Sequence, residues 1–176
     1  MKNKTKGEKM KNKGVLFVTQ AGLIAALYVT LTYVFAAISF GEVQLRIAEA
    51  LTILPMFTPA AIPGLFVGCI IGNAMGGAVL PDIICGSLAT LVGAFGTWML
   101  RKKSPLIGCL PPIIANMIVV PFVLRYAYAV SLPLWFMALT VGGGEVLGCG
   151  ILGCVLYYGL NKHKDVMFRP EMGESA

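Results

Sequence analysis

From Val15 to Leu160 the chain is built largely from apolar and small residues, and charge appears only at Glu42, Arg46, Glu49, Asp82, Arg101, Lys102, Lys103, Arg125 and Glu145. Water tolerates so much apolar chain only around a large core, whereas hydrocarbon demands it of every segment that crosses a membrane. Hydrophobic residues are 57% and charged ones 12% of the 176. That balance lies on the lipid side of what soluble domains show. The period-two alternation of a membrane β-barrel is missing, so helices are the remaining way to satisfy the backbone. The expected fold is therefore an all-α membrane bundle.

The net charge of +6 raises the question of nucleic acid, but the cations are distributed by topology. Lys2, Lys4, Lys6, Lys9, Lys11 and Lys13 lead the chain, Arg101, Lys102 and Lys103 interrupt it, and Lys162, Lys164 and Arg169 follow the last apolar stretch. The positive-inside rule puts all three clusters in the cytoplasm, so an even number of crossings must separate them. No nucleic-acid partner is expected. The lysine-rich start resembles a signal peptide, but the apolar run from Val15 to Ile38 is longer than a signal h-region, which predicts a retained helix. The expected organisation is a basic tail (1–14), a transmembrane domain (15–160) and a second tail (161–176), with both ends inside a bacterial plasma membrane.

Six spans satisfy the parity. The first is 15–38, leading through a loop at 39–44 to a short helix at 46–57. The third, 60–75, carries Gly64, Gly68 and Gly72, with Gly76 next after it at the same four-residue spacing, which predicts close helix packing. The fourth runs 82–100 and the fifth 105–124, with kinks expected at Pro111, Pro112 and Pro121. The sixth, 133–160, passes Gly142, Gly143 and Gly144. The second and third are near or below the usual spanning length, so a re-entrant hairpin would also satisfy parity.

Charges and amides at membrane depth are costly and mark pathways or binding sites. Arg46 and Glu49 share a helix face near the outer side, and Asp82 opens the fourth span there. Asn73 lies along the third span, Asn116 and Glu145 fall near mid-depth, and Glu42, Gln44 and Arg125 flank the outer surface. The pattern describes a polar cavity open to the outside for a small solute. Each residue also has a plainer role available: Arg46 and Glu49 as a capping ion pair, Asp82 as an N-cap, Asn73 and Asn116 as interhelical glue, Tyr126, Tyr128 and Trp135 as an aromatic belt. Glu145 has no helix end to excuse it.

No Gly-x-x-x-x-Gly-Lys-Ser/Thr loop occurs, nor any hydrolase or zinc motif, so no ATPase or other enzyme activity is expected of the chain itself, and no cofactor. Cys69, Cys85, Cys109, Cys149 and Cys154 lack metal or redox spacing and read as small buried hydrophobes, while His163 sits among lysines; no metal site is expected. In the first span Ala21 and Ala25, with Gly22 and Ala26, form small-x-x-x-small pairs suited to a docking helix, either a partner's or one of this bundle's own.

The stretches GEVQLRIAEALTILP (41–55), PAAIPGLFVGCIIGN (59–73) and PDIICGSLATL (81–91) resemble the QueT family of S components of energy-coupling-factor transporters. The resemblance implies a six-helix subunit that captures a queuosine precursor, a 7-deazaguanine, and works with a transmembrane coupling protein and two cytoplasmic ATPase subunits. It also implies that the motif at Ala21 and Ala25 meets the coupling protein and that the loop at 39–44 is an outer gate. The chemistry of such a ligand would assign Glu145 to the guanine edge, Glu49 or Asp82 to an exocyclic amine, and Asn73 and Asn116 to orientation, with Arg46 and Gln44 nearby. An ion-coupled transporter acting alone, an S component for another vitamin and a membrane scaffold are the competing readings.

Overall fold

A computed structural model of the chain describes residues 2–36 and 46–164, with side chains of the first helix described from residue 13. Among the described residues every regular element is helical. Helix α1 spans Lys2–Val34, a 3₁₀ helix Ile47–Met56, α2 Ala61–Met75, α3 Leu80–Met99, α4 Pro105–Gly108, α5 Leu110–Tyr126 and α6 Leu134–Glu145; a π-helical segment, Val146–Leu152, continues into α7, Gly153–Asn161. Four stretches are long and apolar enough to cross a membrane: Lys13–Val34, Leu80–Met99, Pro105–Tyr126 and Leu134–Asn161. The two helices between the first and second of these are shorter. At about 2.0 Å per 3₁₀ residue and 1.5 Å per α residue, each covers only about 20 Å of a core about 30 Å thick.

The 46–57 stretch, expected as an ordinary helix, is 3₁₀, and every residue from Ala48 to Met56 is buried. Its sequence, IAEALTILPM, is apolar apart from Glu49 and Thr52, which suits a helix enclosed on every side. The tighter 3₁₀ winding lets neighbours come close. A Cβ on Gly148 would stand 2.8 Å from the Arg46 carbonyl oxygen, so the π segment rests directly on the 3₁₀ backbone.

Glycine also seats α1 on α2. A Cβ on Gly64 would lie 2.7 Å from the Ala21 carbonyl oxygen, one on Gly68 2.8 Å from Tyr28 Cβ, and one on Gly72 3.2 Å from Thr32 Cβ. The four-residue glycine spacing is thus a packing track, as expected. Gly93 and Gly96 of α3 take the proline pair of α5, with Pro112 Cα and Pro111 Cβ each 2.6 Å from the Cβ that glycine lacks. Of the prolines at which kinks are expected, Pro111 and Pro112 stand in the first turn of α5 just after a break at Cys109, and Pro121 lies inside α5. Only 17% of the α1 span is buried, against 44%, 44% and 39% for the others, leaving one long face of α1 open.

Candidate functional site

Polar side chains from seven elements meet inside this bundle. Glu145, the last residue of α6, accepts a hydrogen bond at Oε1 from Asn116 Nδ2 of α5 (2.8 Å) and at Oε2 from the Cys149 thiol (3.3 Å). Cys149 sits four residues on, in the π segment, facing Thr52 Oγ1 at 3.0 Å and the Glu49 carbonyl oxygen at 3.4 Å. Glu49 accepts the Tyr28 hydroxyl of α1 at Oε1 (2.5 Å). One ligand atom each from Glu49, Glu145 and Cys149 fall within 4.8 Å of one another, a donor set that can hold a cation, whether an ammonium group or a metal ion.

A second group borders the first. Arg46 Nη2 stands 3.7 Å from Asp82 Oδ2, and Tyr128 donates its hydroxyl to the same oxygen at 2.9 Å while accepting the Val79 N–H at 3.3 Å. Gly86 of α3 marks where α2 joins: a Cβ there would lie 3.3 Å from Asp82 Oδ1 and 3.4 Å from Asn73 Nδ2. Asn73 donates at 3.5 Å to the Cys69 sulfur, as does Thr90. Arg46 interacts electrostatically with Glu49, Asp82 and Glu145, which makes the two groups one charged cluster. The cluster lies toward the start of α3; the basic run Arg101–Lys103 follows the other end of that helix, about 30 Å away along its 20 residues.

The side chains that membrane cost singled out are brought together: Arg46, Glu49, Asn73, Asp82, Asn116 and Glu145 are all 6% exposed or less, so none faces lipid. Gln44 and Glu42 lie outside the described residues. Asp82 is not an N-cap; α3 starts earlier, with Val79 at that position, and the carboxylate turns inward to Tyr128 and Arg46. Arg46 and Glu49 do not form a simple capping pair either, because Glu49 engages Tyr28. Ala25 is buried beneath Gly68, and Ala21 is half-buried against Gly64, whereas Gly22 and Ala26 are exposed.

A family model described as QueT transporter matches residues 18–162. The chain belongs to the QueT transporter family. It is also 35% identical over 85 residues to the queuosine precursor transporter QueT of Lactococcus lactis subsp. cremoris (strain MG1363). That alignment covers 47% of this chain and spans half the length of the relative. No solved structure matches.

In this QueT family chain, Tyr28, Thr52, Cys149 and Tyr128 join the site without having been singled out as site residues by charge. Cys149 is not just a small apolar filler, since its sulfur touches Glu145, Glu49 and Thr52; its spacing of four from Glu145 was the available signal. Tyr128 lies in the connection between α5 and α6, where burial, then the Asp82 carboxylate, push its phenol above the ordinary value, so it stays a donor. Glu49 Oε2 and Asp82 Oδ1 have no hydrogen-bond partner among the described residues. A buried acceptor left so costs about 1–3 kcal/mol. An apolar groove of about 410 Å³, lined by Pro81, Cys85, Ile118, Phe122 and neighbours between α3 and α5, is separate from the polar cluster.

Proposed function

We propose that the chain is the substrate-capturing S component of an energy-coupling-factor uptake transporter and that its ligand is a 7-deazaguanine precursor of queuosine. The observation that carries the ligand reading is the buried convergence of Glu145, Asn116, Glu49 and Cys149, supported by the family and by the Lactococcus relative, a queuosine precursor transporter. A guanine edge presents two adjacent N–H donors, and a carboxylate accepts them as a pair. Glu145, oriented by Asn116, takes that edge. Glu49 Oε2 or Asp82 Oδ1 takes an exocyclic ammonium, and Asn73, Arg46 and Gln44 complete the polar wall.

The chain crosses the membrane six times in this reading, with both ends in the cytoplasm, and the hairpin of the 3₁₀ helix and α2 supplies the two short crossings. With no nucleotide-binding motif of its own, it draws on two cytoplasmic ATPase subunits through a transmembrane coupling protein. That partner docks on α1 at the exposed Gly22 and Ala26, because Ala21 and Ala25 of the same small-residue stripe pack on Gly64 and Gly68 of α2.

Equilibrium binding of 7-aminomethyl-7-deazaguanine to the purified full chain tests the ligand. Wild type should bind it, and Glu145→Gln, which replaces one acceptor oxygen with a donor, should weaken it at least about 100-fold, the order expected when a charged hydrogen-bond pair is broken. Undiminished affinity in Glu145→Gln removes the assignment. Uptake into liposomes driven by an ion gradient, with no ATPase subunits present, would replace the subunit reading with that of a stand-alone carrier.

A further inference from the structure

Resting on the ligand reading above, we infer that Tyr28 is a positioning residue: its hydroxyl fixes the Glu49 carboxylate so that one chosen oxygen faces the solute, and so ties the site to the placement of α1. Tyr28 is 1% exposed and reaches from α1 to Glu49 Oε1 at 2.5 Å. A hydrogen bond to a carboxylate in a buried setting is short and strong, and it holds the acceptor in one orientation. Of the two Glu49 oxygens, Oε1 is therefore committed, while Oε2 has no partner among the described residues. The same carboxylate belongs to the group with Glu145 and Cys149 inside 4.8 Å. Tyr28 thereby decides which oxygen is spent on the protein and which is offered to a ligand.

The phenol is itself held in register. Tyr28 Cβ packs where Gly68 lacks a side chain, between Ala21 over Gly64 and Thr32 over Gly72, so its position along α1 is set by the glycine track of α2. Thr52 fixes the other end of Glu49 by donating to its carbonyl oxygen at 2.6 Å. The Glu49 backbone is thus held from within the 3₁₀ helix and its carboxylate from α1. A shift of α1 along its track moves the hydroxyl relative to Glu49 and alters the affinity of the site without touching the solute.

The test is a set of variants of the full chain in detergent, read by binding of 7-aminomethyl-7-deazaguanine and by thermal melting. Tyr28→Phe, which keeps the ring on Gly68, should melt near wild type and bind about tenfold or more weakly, the size expected for losing a hydrogen bond to a charged group. Glu49→Asp keeps the charge but withdraws the carboxylate from the hydroxyl, and should show a similar loss. Because Tyr28 acts through Glu49, the pair Tyr28→Phe with Glu49→Gln should bind no worse than Glu49→Gln alone. Thr32→Val, on the same track, should bind as wild type. Wild-type affinity in Tyr28→Phe, full affinity in Glu49→Asp, additive losses in the pair, or an equal loss in Thr32→Val would each overturn the inference. If Tyr28→Phe does not fold, Glu49→Asp and Thr32→Val decide it alone. No binding by wild type would instead count against the ligand reading.

Discussion

Asn116 and Asn73 separate what two equally buried amides do. Asn116 gives a 2.8 Å bond to a carboxylate, whereas the Asn73 amide has a thiol at 3.5 Å and the Asp82 carboxylate across Gly86. Removing the first strands Glu145 Oε1 in an apolar interior, so Asn116→Ala should destabilise the fold by about 1–3 kcal/mol. Asn73→Ala should cost less than half as much, because a sulfur acceptor is weak. Thermal unfolding in detergent compares them, and equal losses would assign Asn73 a structural partner of the same strength. These residues were legible because amides and carboxylates are expensive in lipid and few plain roles justify them. Tyr28, Thr52 and Cys149 were not, since hydroxyls and thiols cross membranes cheaply and give no such signal. For Tyr28 there was one clue: it continues the Ala21, Ala25 face on α1, where a large polar side chain turned inward needs a partner.

Glycines define the helix contacts, and they differ sharply in what they exclude. Gly93 faces backbone, with Pro112 Cα 2.6 Å from the position of a Cβ, and backbone cannot rotate away. Gly93→Ala should therefore push α5 off α3 and cost about 1–3 kcal/mol, as overpacking does. Gly143 of α6 meets nothing within 4 Å, and alanine there should be neutral or stabilise by up to about 1 kcal/mol, because it removes glycine's helix penalty. Melting temperatures moving in the same direction for both variants would contradict this account. The track on α2 was readable from its four-residue spacing, and the boundaries of the third, fourth and sixth spans fell close to expectation, whereas α1 begins at Lys2 and not at residue 15. The 3₁₀ winding of Ile47–Met56 was not readable, because its cause is tertiary: the segment is enclosed on all sides, and the π segment presses Gly148 onto it. Local sequence carries no mark of a neighbour about 100 residues away.

At the scale of the whole molecule, polarity is asymmetric from one end of the bundle to the other in a way that charge clusters alone do not express. Asp82 and Arg46 sit at one end of the bundle with Tyr128, while Arg101, which packs over the Trp98 ring at 4.4 Å, sits at the other with Lys102 and Lys103. Lysine and arginine near span ends are retained on the cytoplasmic side, so the acidic cluster should open outward and α5 should run from inside to outside. The strained turn after α5, with Ala129 at φ 53° and Arg125 bonded to the Val130 and Leu132 carbonyls, would then be extracellular. Reporter fusions read this directly. Alkaline phosphatase joined after Val130 should be active because it folds only outside, and a fluorescent protein joined after His163 should fluoresce because it matures inside. Both signals reversed would turn the bundle over and place the carboxylates toward the cytoplasm, where a site for capturing external solute could not work. Activity at Val130 with a dark fusion at His163 would mean that α6 to α7 does not cross as one span, although its 28 residues reach about 42 Å, well beyond a hydrocarbon core. The orientation and the crossing number are thus separable, and the outward-facing site needs the first of them to hold.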